Sequence, residues 1–181
     1  MKTFSVLAIA IFASLAGYAQ AQHADYAGQQ SREIKALSAD EMKQYLAGGG
    51  MGFARSAELN RYPGPMHVLE LGEQLALTPE QRTATEKLMA AHKADARAIG
   101  AKFVDAERVL DRLFAGGSAS ESAVAAQVRA VAALQGEYRL SHLDTHRRMH
   151  ALLMQEQIHQ YVKLRGYAAD NADHNKAKPH H

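Results

Sequence analysis

From Leu77 to Leu113, apolar or histidine positions recur at three- and four-residue intervals through Met89, His92, Ala96, Ile99, Phe103, Ala106, Leu110 and Leu113, with charged residues between them. Such sustained spacing describes one helix packed lengthwise on another. Its start is written in LTPEQ, residues 77–81: Thr78 is the N-cap, Pro79 takes the first helical position, and Gln81 stands three residues after the cap. No glycine pair or further proline follows until Gly116 and Gly117. Gly100 alone interrupts, at about 1 kcal/mol relative to alanine. The pattern therefore predicts a continuous helix over 79–115, about 55 Å long.

A partner follows at once. After AGGSAS, where Ser118 or Ser120 can cap, a second long helix carries a seam through Val124, Val128, Val131, Leu134, Tyr138, His142, Met149 and Leu152. The short glycine-containing connection makes the two helices antiparallel neighbours. LLMQEQIHQYVKLRGY then opens a terminal helix, and LMQEQ at 153–157 echoes LTPEQ, keeping Leu, Glu and Gln while losing the cap and the proline.

Upstream the pattern is more broken. Residues 22–36 are polar, which predicts a loosely ordered lead-in. Ser38 with Glu41 forms a capping box that opens a short helix, ADEMKQYLA, stopped by Gly48, Gly49 and Gly50. MGFARSAELN reads as a second short amphipathic piece, RYPGP as a turn, and MHVLELGEQL as resumed helix. The fold expected is all-α: an elongated antiparallel hairpin with short flanking helices, divided into a polar leader over 22–63 and a helical domain over 64–167, with a disordered histidine-containing tail over 168–181.

The first 21 residues change where this fold is expected to work. An apolar run, FSVLAIAIFASLAG, follows Lys2 and ends in YAQAQ, where Ala19 and Ala21 frame a cleavage point. Residues 1–21 read as a secretory signal peptide, so the mature chain is expected to be exported and to keep no membrane span. Its loss of Lys2 leaves 20 basic against 19 acidic side chains, and no cationic stripe suggests nucleic acid. With no cysteine, the chain has neither disulfides nor a thiol nucleophile.

Enzyme motifs are missing too. GGGMG lacks a preceding strand and a phosphate-binding lysine, no serine sits in a nucleophile elbow, and H-E-x-x-H is absent. No enzyme is expected.

The LTPEQ helix start, its weaker copy at 153–157, the signal peptide and the cysteine-free helical chain resemble the LTxxQ-motif periplasmic stress proteins of the Spy/CpxP family, with ZraP and CnrX as metal-responsive relatives. The resemblance covers residues 64–167. It implies a periplasmic dimer of bent hairpins that holds unfolded envelope proteins without ATP, and, in CpxP-like members, contact with a sensor kinase. On this implication, Arg97, Lys102, Arg108, Arg112, Arg129 and Arg139 attract clients, and Phe103, Phe114, Met89 and Met149 supply adaptable contacts. The leader GMGFARSAELNRYPGP also looks like a recurrent one, with no mechanism attached to it.

The histidines pose a second possibility. His142, His146 and His150 stand four residues apart with Met149 among them. His142 and Met149 lie near the middle of the apolar stripe, His146 at its edge and His150 further out. Folding the hairpin at 117 and 118 brings His92 opposite His142, Met89 opposite His146 and Glu86 opposite Met149, to within one turn. Such a set suits copper, zinc, nickel or cobalt, and the resemblance to CnrX adds weight to it. His67 is a further ligand candidate of unknown placement, and the tail histidines His174, His180 and His181 would bind metal only loosely. Seam histidines hydrogen-bonded across an interface, or responding to acid, fit the same residues. The functions in view are a chaperone-like protein, a metal sensor or buffer, and a regulatory module.

Overall fold

The computed structural model describes residues 26–168; the expected signal peptide, and the tail apart from Ala168, lie outside them. Among these residues there are six α-helices and no strand: α1 (Ala39–Ala47), α2 (Arg55–Glu58), α3 (Pro65–Glu70), α4 (Pro79–Ala115), α5 (Glu121–Leu152) and α6 (Gln155–Leu164). No helix among them is long and apolar enough to cross a membrane.

The α4–α5 hairpin is the frame. The Thr78 hydroxyl accepts from the Gln81 N–H at 3.2 Å while the Gln81 side chain accepts from the Thr78 N–H at 3.1 Å, so two otherwise orphaned donors are satisfied. At the turn Gly117 adopts φ 66°, a conformation that costs a glycine little. Ser120, rather than Ser118, caps α5 by accepting from the Ala123 N–H at 3.4 Å. Gln127 then reaches across to donate to the Ala106 carbonyl at 2.7 Å, fixing the register.

The two LTPEQ-like copies meet. Gln81 and Gln157 form a reciprocal amide pair, each donating to the other at 2.9 Å. Each also accepts from the backbone N–H that opens its own helix, from Thr78 at 3.1 Å and Met154 at 2.9 Å. The remaining protons go to carbonyls of the opposite segment, Gln81 to Leu152 at 3.0 Å and Gln157 to Leu75 at 3.1 Å. Met154, at the cap position of α6, has no oxygen to offer. The second copy therefore gives up half of the capping box but retains the glutamine that clasps the hairpin base.

Two apolar clusters line the hairpin. Near the base, Val68, Leu75, Leu88, Met149, Leu153, Ile158 and Tyr161 pack α3 and α6 against the long helices. In the middle, Ala96, Phe103, Val104 and Tyr138 are covered by Ile34, Leu37 and Tyr45. Beyond Ala106 and before Tyr138 no residue is buried, and past the leader's contacts with Arg108 and Asp111 the tip is a two-helix ribbon. Several seam positions there, such as Val128, remain open to solvent because no third helix covers them.

The leader departs from expectation. Residues 22–36 are not uniformly loose: Gln29–Ser31 form a 3-10 turn and Ile34 is fully buried, because the middle of the hairpin needs apolar cover. The second short helix shrinks to Arg55–Glu58, since Met51 at φ 45° and Gly52 at φ 77° hold the preceding chain in turns. Helix α3 stops at Glu70, and a turn ending at Ala76, φ 48°, leads into LTPEQ. Gly100 is more than an interruption in α4, because a Cβ there would collide with the Tyr45 backbone carbonyl. It is the point of close approach between leader and hairpin.

Candidate functional site

At the junction of the two clusters His92 and His142 face each other. Nε2 of His92 lies 3.0 Å from Nδ1 of His142, with the rings edge to face at 4.5 Å between centroids. One nitrogen donates and the other accepts. That leaves Nδ1 of His92 and Nε2 of His142 buried with no partner.

Burial, then His92 and His146 nearby, pushes the His142 imidazole down to about 4, and burial lowers His92 as well, with Asp95 opposing. Both rings are therefore neutral at pH 7.

A pocket of about 620 Å³ opens beside this pair, walled by the turn at residues 47–52, by α2 and α3, and by Met89, His92, His142 and His146. Met51, Leu59 and Met66 stand exposed at its edge, and Arg55 and Lys93 bring positive charge to the same opening. His67 lines the pocket too, with Nδ1 2.8 Å from a Glu70 oxygen.

The fourth wall is polar and well fastened. His146 donates from Nδ1 to the Tyr62 carbonyl at 2.7 Å, and Gly64 has no side chain to obstruct its ring. Glu58 accepts from the Gly64 N–H at 3.2 Å and from the Tyr161 hydroxyl at 2.5 Å. Burial and that carboxylate push the Tyr161 phenol well above its ordinary range. Tyr62 also stacks on His150, with centroids 4.5 Å apart.

The candidate residues are thus sorted by the fold. His92, His142, His146 and Met89 share the pocket. Met149 is fully buried in the basal cluster, and Glu86 is exposed and does not line the pocket, because Thr85 and Leu88 take the inward positions on that turn. Among the described residues, no three histidine or carboxylate groups are arranged to hold a metal ion. The nitrogen donors that a borderline cation prefers are present, but they do not form a closed set.

Of the residues expected to meet clients, Phe103 is buried under Tyr45, with ring centroids 4.3 Å apart, and is closed to a client while Tyr45 covers it. Met149 is likewise buried, whereas Phe114 is exposed at the tip. Lys102, Arg112, Arg129 and Arg139 are exposed. Arg97 donates from Nε to the Ala47 carbonyl at 3.4 Å, and Arg108 pairs with Glu33 at 3.0 Å and with Asp105. The pocket residues missed in the sequence include Met51, Arg55, Leu59 and Met66 and the fastening residues Glu58 and Tyr62, from the leader or α3, and Lys93 from α4. The turn signals at Gly48–Gly50 and RYPGP, the amphipathic MGFARSAELN and the recurrent look of the leader pointed to that region without saying where it docks.

The model of the LTXXQ motif family protein matches residues 65–165. No curated protein and no solved structure matches the chain.

Proposed function

Because the chain belongs to the LTXXQ motif family, that of the Spy/CpxP-like periplasmic proteins, we propose that it is an exported stress protein that binds exposed apolar segments of unfolded envelope proteins without ATP. One observation carries the reading: the open pocket whose edge exposes Met51, Leu59 and Met66 beside Arg55 and Lys93. Unbranched thioethers repack around differently shaped side chains, which suits a binder of many sequences. The cations speed encounter with acidic chains and add little to retention. A homodimer and contact with a sensor kinase belong to the same proposal as the partners the family suggests.

The test is suppression of aggregation of a thermally unfolding model protein by the chain from residue 22 onward, with and without the double substitution Leu59→Glu and Met66→Glu. Suppression should fall at least fivefold while far-ultraviolet circular dichroism stays unchanged. Undiminished suppression by the folded double variant would remove the pocket from the reading.

A second reading, a copper, zinc, nickel or cobalt buffer, is favoured by the unpartnered buried nitrogens of His92 and His142. Calorimetric titration of the chain ending at Tyr167 with each ion decides it. Stoichiometric binding tighter than about micromolar, weakened by both His92→Ala and His142→Ala, supports it. Heat that both variants retain removes it.

A further inference from the structure

Three of the side chains that the client-binding reading assigns to the hairpin, Arg97, Phe103 and Arg108, are already engaged. The leader covers Phe103, takes the Arg97 Nε–H on the Ala47 carbonyl at 3.4 Å, and pairs Glu33 with Arg108 at 3.0 Å. One segment of the same chain thus engages two of those cations and the buried aromatic at once. We propose that the groove around Gly100, formed by α4 and α5, is a docking groove for short amphipathic helices of client proteins, and that α1 is its resident, displaceable occupant. The proposal rests on the client-binding reading above and gives it a ligand class and a form of regulation.

Helix α1 shows what the groove selects. Its ends are finished internally: Ser38 and Glu41 close the N-terminus, and the Gly48 N–H returns to the Gln44 and Tyr45 carbonyls at the C-terminus. At nine residues it is too short to persist alone, so what it takes from the hairpin is cover for its apolar face. Tyr45 supplies most of that face, lying 4.3 Å from the Phe103 ring and 5.0 Å from the Tyr138 ring. Gly100 admits the backbone beneath it, as a Cβ would strike the Tyr45 carbonyl. The fitting partner is therefore a helical segment with an aromatic residue in its last turn and an acidic residue upstream to meet Arg108.

The attachment also has a joint. Gly48, Gly49, Gly50 and Gly52 follow α1 directly, with Gly48 at φ 70° and Gly52 at φ 77°. Glycines turn at little steric cost, so once the joint gives up the bond from the Tyr138 hydroxyl to the Gly49 carbonyl at 2.7 Å, α1 can leave while α2 and α3 remain fastened to His146, His150 and Tyr161. Tethering gives α1 a high local concentration, and a client must outcompete it.

The test uses the mature chain, Tyr45→Ala, Gly100→Ala and the double variant, with a fluorescent peptide of residues 33–50 and a thermally unfolding client protein as probes. Tyr45→Ala empties the groove but keeps its walls, so it should bind the peptide at least tenfold more tightly than wild type and suppress client aggregation more strongly. Gly100→Ala also frees α1, visible as faster tryptic cleavage at Lys43, yet its blocked groove should bind no peptide. The double variant should behave like Gly100→Ala. Peptide binding by Gly100→Ala equal to that of Tyr45→Ala, or no gain from Tyr45→Ala, overturns the proposal. Equal client suppression by all four proteins overturns the groove and leaves the client reading standing. No suppression by any of them removes both.

Discussion

Lowering the pH from 7.5 to 5.0 will cost the folded protein about 2 kcal/mol through His142 alone. The imidazole is buried, with His92 from α4 and His146 and Tyr138 from α5 around it, and titrates at about 4 in the folded chain against an ordinary value of 6.5. Because the folded value is depressed, the unfolded chain takes up a proton that the folded chain refuses. Stability is intact above about pH 6.5, falls as the pH drops through the interval between the two values, and levels off below about 4. At pH 5.0 the unfolded imidazole is almost fully charged and the folded one is charged in about one molecule in ten, which gives the figure. His92, lowered by burial, adds in the same direction.

Urea unfolding followed by circular dichroism at pH 7.5, 6.0 and 5.0 measures the loss. Running His142→Leu in parallel cancels the titration of other groups, including Glu107, whose carboxyl is raised by burial and works the opposite way. Wild type should lose about 2 kcal/mol more than the variant over this range. Equal losses, or a wild-type stability that does not change, would refute a buried neutral pair.

Three further outcomes are expected. Gln157→Ala should cost about 2–3 kcal/mol, because the Leu75 carbonyl, the Met154 N–H and the Gln81 amide all lose their partner in a buried place. Adding Gln81→Ala should then cost at least about 1 kcal/mol less than it does alone, and strictly additive losses in urea would contradict a shared clasp. Gly136→Ala should stabilise α5 by about 1 kcal/mol and raise Tm by about 2–4 °C, because its Cβ meets nothing within 4 Å; a lower Tm would be the contrary result. Tyr161→Phe should cost about 2 kcal/mol by leaving Glu58 without its hydroxyl donor, and a thermal melt matching wild type would show that the contact contributes nothing.

Local signals in the sequence carried the frame. Thr78, Pro79 and Gln81 mark the start of α4, the glycine pair marks its end, and antiparallel counting from that turn brings His92 to His142, which the 3.0 Å contact matches. These signals act over a few residues or along one rigid helix, so error hardly accumulates. Towards the base α3 and α6 enter: Met149, on the predicted apolar stripe, is buried among them, while Glu86 is exposed, and neither lines the pocket. The docking of the leader was not legible. It depends on Tyr45 meeting Gly100 across more than fifty residues, and a single glycine in a helix carries no mark of the backbone that will lie against it. The same blindness let Phe103 read as an available contact, since its cover comes from outside the hairpin.

What holds this molecule changes in kind along the hairpin. At the base, two glutamines and a basal apolar cluster tie four helical segments together, and every amide of the glutamine pair has a partner. In the middle, cover comes from a leader that buries Ile34, Leu37 and Tyr45, adds a few hydrogen bonds, and is joined to the rest through glycines, while its exposed ion pairs contribute little. At the tip no third helix covers the ribbon. His92 and His142 sit at the boundary between the first two regimes, with an unpartnered nitrogen on each ring. A proton taken up there must be accommodated by one side or the other, and the side with fewer satisfied polar contacts is the cheaper to move. On the docking proposal, exchange of α1 for another chain's helix leaves the clasp at the base intact, because neither Gln81 nor Gln157 bonds to α1 and the rest of the leader stays tied there through Glu58 and Tyr62.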